Sequence, residues 1–369
     1  MNRRVFLLGT ACTCAATILQ EHLHAMSSWV AAAPNTAALR QAGYRADKIL
    51  ACYTGAHQLL AEPIASSMIA DTFSMIAAGN DLKFSNRLRP APDVFDFQAG
   101  DADIAWSEQH KLLFRGHCLV WWNALPNWFD SYVNAGNARQ VMIDHITKTV
   151  EHYAGRVFSW DVVNEAIYHD NRPDGLRRKP WLDFIGPDYI DIAFHTAHAA
   201  DPKAKLVLNE CYIEHDTPAE KSRRESLLAL ATGLRRSGVP ITHIGVQGHL
   251  RGNTPLDKPG MTEFCKRLRG AGLEIMITEL DVDTINVPAD QQQQVVAAKY
   301  GEFLDLVGPY VKIITFEALR DDPAYPRNPD GGILCRNLFG VDYQPGRVYD
   351  SVVDSLKRLA THSVADFQE

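Results

Sequence analysis

Eight short apolar runs recur along the chain after about residue 46: KILACYTG, SMIAAGN, LLFRGHCLVW, VFSWDVVNE, KLVLNE, HIGVQGHL, EIMITELDV and KIITFEA. Each is aliphatic or β-branched and lacks the strict apolar–polar alternation of a strand with one wet face, which marks strands buried on both sides. Between them lie longer segments with apolar residues at helical spacing, among them 138–153, 219–236, 261–269 and 290–307. Buried strands alternating with helices predict a parallel sheet, and eight of them favour closure into a single (β/α)8 TIM barrel, an α/β fold. The rival is an open doubly wound sheet, but the glycine-rich phosphate turn expected after its first strand is missing. No repeat, linker or second domain interrupts the pattern, so one barrel is expected from about residue 40 to 362.

In such a barrel the C-terminal ends of the strands converge on one face, and that face carries the site. The apolar runs end in polar residues there: Asn80 and Lys83 after the second, His117 and Trp121 around the third, Asn164 and Glu165 at the fourth. Asn209 and Glu210 end the fifth, Gln247 and His249 the sixth, and Glu279 and Asp281 the seventh. One polar strand end would be an accident; a ring of them predicts a binding site.

Composition narrows the class. The chain has 369 residues, 46% of them apolar, and a net charge of −7, which suits a globular protein with a large core and offers no basic patch for nucleic acid. The short basic run Arg177, Arg178, Lys179 reads as a solvated loop. Arg3 and Arg4 precede an uncharged apolar stretch from Val5 to Ile18 and the small residues Ala31, Ala32 and Ala33, the layout of a twin-arginine-type signal over residues 1–33. A periplasmic or secreted protein follows, with no membrane anchor in the mature form. Outside that segment five cysteines remain without close pairing, and no CxxC or HExxH spacing points to a metal.

Glu165 and Glu279 each follow an apolar strand core, and the fourth and seventh strands are expected on opposing sides of the mouth. Two carboxylates facing across a pocket can divide glycosidic cleavage: one protonates the departing oxygen, and the other attacks the anomeric carbon or activates water. His249 is placed to donate a hydrogen bond to Glu279. The structural alternative, a salt bridge at the rim with a partner such as Lys83, explains one glutamate better than a pair within a ring.

These residues resemble those of the glycoside hydrolase family 10 endo-β-1,4-xylanases. WDVVNEA is similar to that family's acid/base motif, ITELDV to its nucleophile motif, GVQGHL to its sixth-strand motif and RGHCLVW to its third-strand motif, in the family's order over residues 50–345. The resemblance implies a retaining endo-β-1,4-glycanase, an endo-1,4-β-xylanase in the first instance, with Glu165 as acid/base and Glu279 as nucleophile. It implies that Asn164 binds the 2-hydroxyl of the sugar being cleaved, and that Gln247 and His249 orient Glu279. His117 and Trp121 would line the same subsite, and Asn80 and Lys83 would bind the next sugar outward. Trp128 and Asn209 are further candidates for substrate binding, with rim packing and capping of a loop as their competing roles. The expected partner is a polysaccharide, xylan or a related β-glycan, bound by a monomer without cofactor or metal.

The chain departs from the family's pattern at the walls. Gly79 stands where a glutamate is usual before Asn80, and Trp122, Asn123 and Ala124 replace a histidine, a small polar residue and a glutamine. Glu317 and Ala318 end the eighth run where tryptophan and glycine are usual, and Tyr325 stands near the place of a further tryptophan. All of these are binding positions, so an altered glycone pocket is expected, with Trp122 or Tyr325 as a displaced platform. Another β-glycan, such as a bacterial exopolysaccharide, or a weakly active glycan-binding protein are the competing readings. A lyase or aldolase would need a phosphate loop or a Schiff-base lysine, and Lys83 lies too early on the rim for the latter.

Overall fold

The computed structural model describes residues 36–168, 172–285, 287–322 and 335–365. Its strands are β1 (Ile49–Thr54), β2 (Met75–Ala78), β3 (Leu113–Gly116), β4 (Ser159–Asn164), β5 (Lys205–Glu210), β6 (His243–Val246), β7 (His249–Arg251), β8 (Glu274–Asp283) and β9 (Val311–Phe316). Eight of them pair in parallel in the order β6-β5-β4-β3-β2-β1-β9-β8, and β6 pairs with β8 to close the ring. This is the (β/α)8 barrel that the alternating runs predict.

The sixth run does not form one strand as read. Gly248 takes a φ of +75°, a left-handed conformation open to glycine, and the chain breaks there. β6 stops at Val246, and β7 resumes as a short strip on the end of β8, with His249 opposite Asp281. The break matters because it brings His249 beside β8.

Helices cover the outside: Pro63–Thr72, Gln98–Gln109, Ala138–His152, Tyr189–Ala200, Pro218–Arg236, Lys258–Gly270 and Gln292–Val307 fall between successive barrel strands. Two begin earlier than apolar spacing predicts because their starts are set by caps. Thr217 accepts from the Glu220 amide, with Pro218 in the first turn, and Asp257 accepts from the Gly260 amide, with Pro259 in the first turn. Helix Arg347–Ala365 packs on Gln292–Val307 and on Ala37–Arg45, the first and last of the described helices meeting where the Leu39 amide donates to the Tyr349 hydroxyl at 3.2 Å. No helix among the described residues is long and apolar enough to cross a membrane.

Strand side chains alternate faces with a period of two, and this decides what fills the barrel. Ala51, Met75, Val207, Met276 and Ile313 form a small buried cluster of their own, distinct from the larger core between barrel and helices. Two residues further along, the same phase reaches Tyr53, Asn209 and Thr315, and two further on β9 it reaches Glu317. The interior thus changes from an apolar plug to polar groups toward the mouth.

Above the plug lies a buried ion pair. Arg115 Nη2 donates to Asp161 Oδ1 at 2.6 Å, with both side chains fully buried, and Arg115 Nη1 donates to the Tyr53 hydroxyl at 3.0 Å. Removing one partner of such a pair strands the other charge in a low-dielectric interior. Arg115→Met is therefore expected to destabilise the fold by about 3–5 kcal/mol in urea unfolding, and a loss below about 1 kcal/mol would show the pair to be replaceable.

Candidate active site

The site is built from the strand ends, and its floor is a side-chain amide. Asn209 is fully buried on β5; its Nδ2 donates to Glu279 Oε1 at 2.7 Å and to Asn164 Oδ1 at 2.9 Å, and its Oδ1 accepts from the Thr278 hydroxyl at 2.7 Å. Gly245 on the neighbouring β6 permits this, because a Cβ there would lie 2.2 Å from Asn209 Oδ1. Gln247 Nε2 lies 3.2 Å from Asn164 Oδ1 and 3.5 Å from Glu165 Oε1. Both glutamates therefore join one network. The Asn164 side-chain oxygen is doubly occupied, while its NH2 group makes no bond among the described residues and is free to donate.

Glu165 follows β4 directly with a φ of +55°, a left-handed conformation uncommon for a residue that carries a side chain. Its amide donates to the Asn209 carbonyl at 2.9 Å, and its carbonyl accepts from Arg177 Nε at 2.8 Å, so the turn is pinned from both sides. Its carboxylate Oε2 accepts from the Trp122 indole at 2.7 Å and lies 3.8 Å from Arg177 Nη2.

Glu279 is buried in a cationic surrounding. His249 Nε2 lies 3.3 Å from Oε2, while His249 Nδ1 lies 2.8 Å from Asp281 Oδ1. Burial disfavours the Glu279 anion, but the His249 hydrogen bond and the charges of His117, His249 and Arg115 outweigh it and hold the carboxyl at about 2. His249 is raised well above the ordinary imidazole range: burial opposes its charge, and Asp281 and Glu279 reverse that effect. For His117, burial again opposes, and Asp161, 2.7 Å from Nδ1, helps to raise it to about 10. Asp281 is itself paired with Arg336. Glu279 thus stays ionised across the neutral range.

Glu317 at the end of β9 has the opposite character. Its carboxyl lies within 4.8 Å of those of Glu279 and the ring of His249, and its Oε2 is buried without a hydrogen-bond partner among the described residues. Burial first, and the Glu279 charge second, push it up to about 8. The His249, Glu279 and Glu317 group has the composition of a cation site, as do His117 with Asp161 and Glu279, and Glu214 with His215 and Glu220. Each group contains an ion pair of its own: His249 faces Glu279, Arg115 and His117 face Asp161, and His215 faces Glu220.

The other predicted residues fall into place unevenly. Lys83 Nζ donates to Asn80 Oδ1 at 2.9 Å and stands 5.0 Å from the Trp121 ring centre, and the Trp121 ring is 6.4 Å from that of His117. These four form a continuous wall. Trp128 is used otherwise: its indole donates to the Arg89 carbonyl at 2.8 Å and its ring packs against Phe84 and the Arg89 guanidinium, the rim-packing role. Asn209 is no loop cap but the centre of the floor. The Gln247 side chain turns to Asn164 and Glu165, and only its backbone carbonyl holds the Glu279 amide, at 2.8 Å. Tyr325 lies outside the described residues.

Arg177 corrects the reading of its basic run as a solvated loop. It is nine-tenths buried, bonded to Glu165, and its guanidinium covers the Trp122 ring at 4.7 Å. Lys179 stands 5.2 Å from the same ring, so Trp122 serves as a cation-covered donor to Glu165 rather than a bare platform. Nothing in local spacing marks Arg177, because its partner is brought to it by a 12-residue excursion. Arg115 had a signal: a lone arginine inside an apolar strand run must be paired.

With this geometry in hand, comparison with known proteins is decisive. The family model described as glycosyl hydrolase family 10 matches residues 38–355. The chain belongs to this family. An endo-1,4-β-xylanase A of Caldicellulosiruptor is 32% identical over 324 residues, 81% of this chain and 45% of the relative, so the chain spans less than half of that relative's length. A β-1,4-xylanase of Dictyoglomus thermophilum is 33% identical over 271 residues, 69% of this chain and 74% of the relative. Among solved structures, xylanase 10B of Thermotoga maritima superposes with a TM-score of 0.78 at 27% identity, covering 88% of this chain and 99% of that one. Xylanase 10B of Thermotoga petrophila, solved in complex with xylobiose, gives 0.78 and 27% over 87% of this chain and 98% of that one.

Two expectations follow from the family member's floor and wall. Asn209→Ala removes one donor from Glu279 and another from Asn164, so kcat should fall roughly 10- to 100-fold, with stability lower by about 1–3 kcal/mol; unchanged kcat would remove Asn209 from the working site. For Glu317 the folded pKa is raised, so the native state holds a proton that the unfolded chain has released between its ordinary carboxyl range and about 8. Stability from this group is complete below about pH 4.5 and is lost as pH rises through about 8. Glu317→Gln should therefore lose less Tm than the parent between about pH 5 and about pH 9; equal losses would place the titration elsewhere.

Proposed function

We propose that the protein is a retaining endo-1,4-β-xylanase that cleaves internal bonds of xylan by double displacement. The observation that carries this reading is the pairing of Glu165 and Glu279 through one amide network at the C-terminal mouth of a family 10 barrel. In this reading Glu279, kept ionised by His249, His117 and Arg115, attacks the anomeric carbon while Glu165 gives its proton to the leaving oxygen. Glu165 then withdraws a proton from the water that hydrolyses the glycosyl-enzyme, which restores the original configuration.

The unoccupied NH2 of Asn164 is assigned to the 2-hydroxyl of the sugar under attack, where a hydrogen bond can strengthen as the oxocarbenium character develops. His117 and Trp121 line that subsite, and Lys83 with Asn80 binds the next sugar outward. Gln247, Asn209 and His249 fix the carboxylates. The relatives named as xylanases support xylan as the polymer. The apolar stretch behind Arg3 and Arg4 supports export as a twin-arginine-type substrate, to the periplasm or beyond; residues 1–33 lie outside the described ones. The enzyme is proposed to act as a monomer through a barrel domain of about residues 40–362.

The test is product analysis on xylan with the anomeric configuration followed by NMR during the first turnovers. Retained β-product is expected, and first-formed α-product would overturn the role of Glu279. Glu165→Ala should lower kcat on xylan roughly 100- to 10,000-fold. The same variant should lose far less on a substrate with a strongly acidic leaving group, which needs no proton.

A further inference from the structure

The wall opposite Asn164 is where this chain departs most from the pattern it resembles. In the closed order β1-β2-β3-β4-β5-β6-β8-β9, β9 lies four strands from β4 in either direction, so Asn164 and Glu317 face each other across the mouth. A pyranose ring has the same symmetry: C5 lies across the ring from C2. A sugar held by its 2-hydroxyl at Asn164, with C1 over Glu279 on β8, therefore turns C5 toward β9.

At β9 the structure offers room and polarity. A cavity of about 290 Å³ opens beside Glu317 and Ala318, with Asp281, Arg336, Gln58 and Asn337 among its lining. That is close to the lower end of the range of small-molecule pockets, about 300 Å³. Glu317 reaches it in phase with the interior residues Ile313 and Thr315, and Ala318 adds almost no side chain. Glu317 Oε2 is buried and has no partner among the described residues, a state that costs free energy unless a ligand supplies one. Neighbouring Arg336 is paired with Asp281 through Nη2, while its Nε and that of Arg320 are, like Glu317 Oε2, buried without a hydrogen-bond partner among the described residues, so the cavity wall offers a carboxyl oxygen flanked by guanidinium donors.

We propose that the subsite over Glu279 admits a hexopyranosyl unit, with the C5 hydroxymethyl group entering this cavity and its 6-hydroxyl hydrogen-bonded to the Glu317 carboxyl. A pentopyranosyl unit, with hydrogen alone at C5, leaves the cavity to solvent. The substrate class then includes β-1,4-linked glucans or mixed polymers with a hexose at the cleavage point. This assignment rests on the reading of Glu165 and Glu279 as the catalytic pair. It makes Glu317 a specificity-determining residue, outside the chemistry of bond cleavage.

The experiment compares kcat/KM for 4-nitrophenyl β-cellobioside and 4-nitrophenyl β-xylobioside, which share a leaving group and differ at C5. The parent should turn over both, with the cellobioside within about 10-fold of the xylobioside. Glu317→Trp, which fills the cavity, should lower the cellobioside-to-xylobioside ratio by about 10-fold or more. Glu317→Leu keeps the space and removes the hydrogen bond, and a falling ratio is expected again. A parent active on the xylobioside alone, or an unchanged ratio in either active variant, overturns the proposal. A parent inert on both glycosides overturns the catalytic pair itself, a separate and recognisable failure.

Discussion

The side-chain amide of Asn209 ties together three barrel strands at the C-terminal mouth of the barrel. Through one carboxamide, β5 is bonded to Asn164 on β4 and to Thr278 and Glu279 on β8, while β6 contributes the empty space of Gly245. The orientation of the amide is determined by its partners: a carboxylate accepts only, so the NH2 must face Glu279, and the oxygen is left for the Thr278 hydroxyl. Because every member is buried and bonded, loss of one leaves unsatisfied groups on the others. Such a network behaves as a unit, and it holds Glu279 and Asn164 with little freedom to drift apart.

Electrostatics then separates the two glutamates that this floor brings together. Glu279 lies among Arg115, His117 and His249, and each of these positive groups is in turn held by an acid, Asp161 or Asp281. The acids make the cations possible in a buried setting, and the cations keep Glu279 ionised. Glu165 stands at the other side of the pocket on a strained turn, with a neutral indole and a more distant guanidinium for neighbours. Two identical side chains stand in different electrostatic settings, and those settings come from different strands of one barrel.

The barrel and both glutamates were legible in the chain because both depend on local order. Period-two phase carries an apolar plug into a polar mouth within a few residues, and each glutamate sits at the end of its own run. What local order does not record is which partner a side chain meets. Trp128 reads as a binding tryptophan from its place after the third run, yet its indole is used on Arg89. Arg177 reads as a loop charge, yet it closes back on Glu165 after a long excursion. Gln247 and His249 occupy a single apparent strand, but the left-handed Gly248 separates them, sending one toward Asn164 and the other toward Asp281. Each of these depends on a long-range contact or a single dihedral angle.

The distribution of departures follows from the same physics. Residues of the floor share partners, so a substitution there disturbs several buried hydrogen bonds at once and its effect is not independent of the others. Residues of the wall lie outside the bonds of the Asn209 amide: Gly79 carries no side chain, Trp122 adds an indole donor to Glu165, and Glu317 brings a carboxyl at a strand end two strands away from Gly79. Moving an acidic group around the rim in this way changes which edge of a sugar is addressed while leaving Asn209, Asn164 and Glu279 bonded as they are. The coupling that makes the floor intolerant of change confines variation to the wall, so divergence in this chain is expected in the groups that line the mouth before it is expected in the Asn209, Asn164 and Glu279 network.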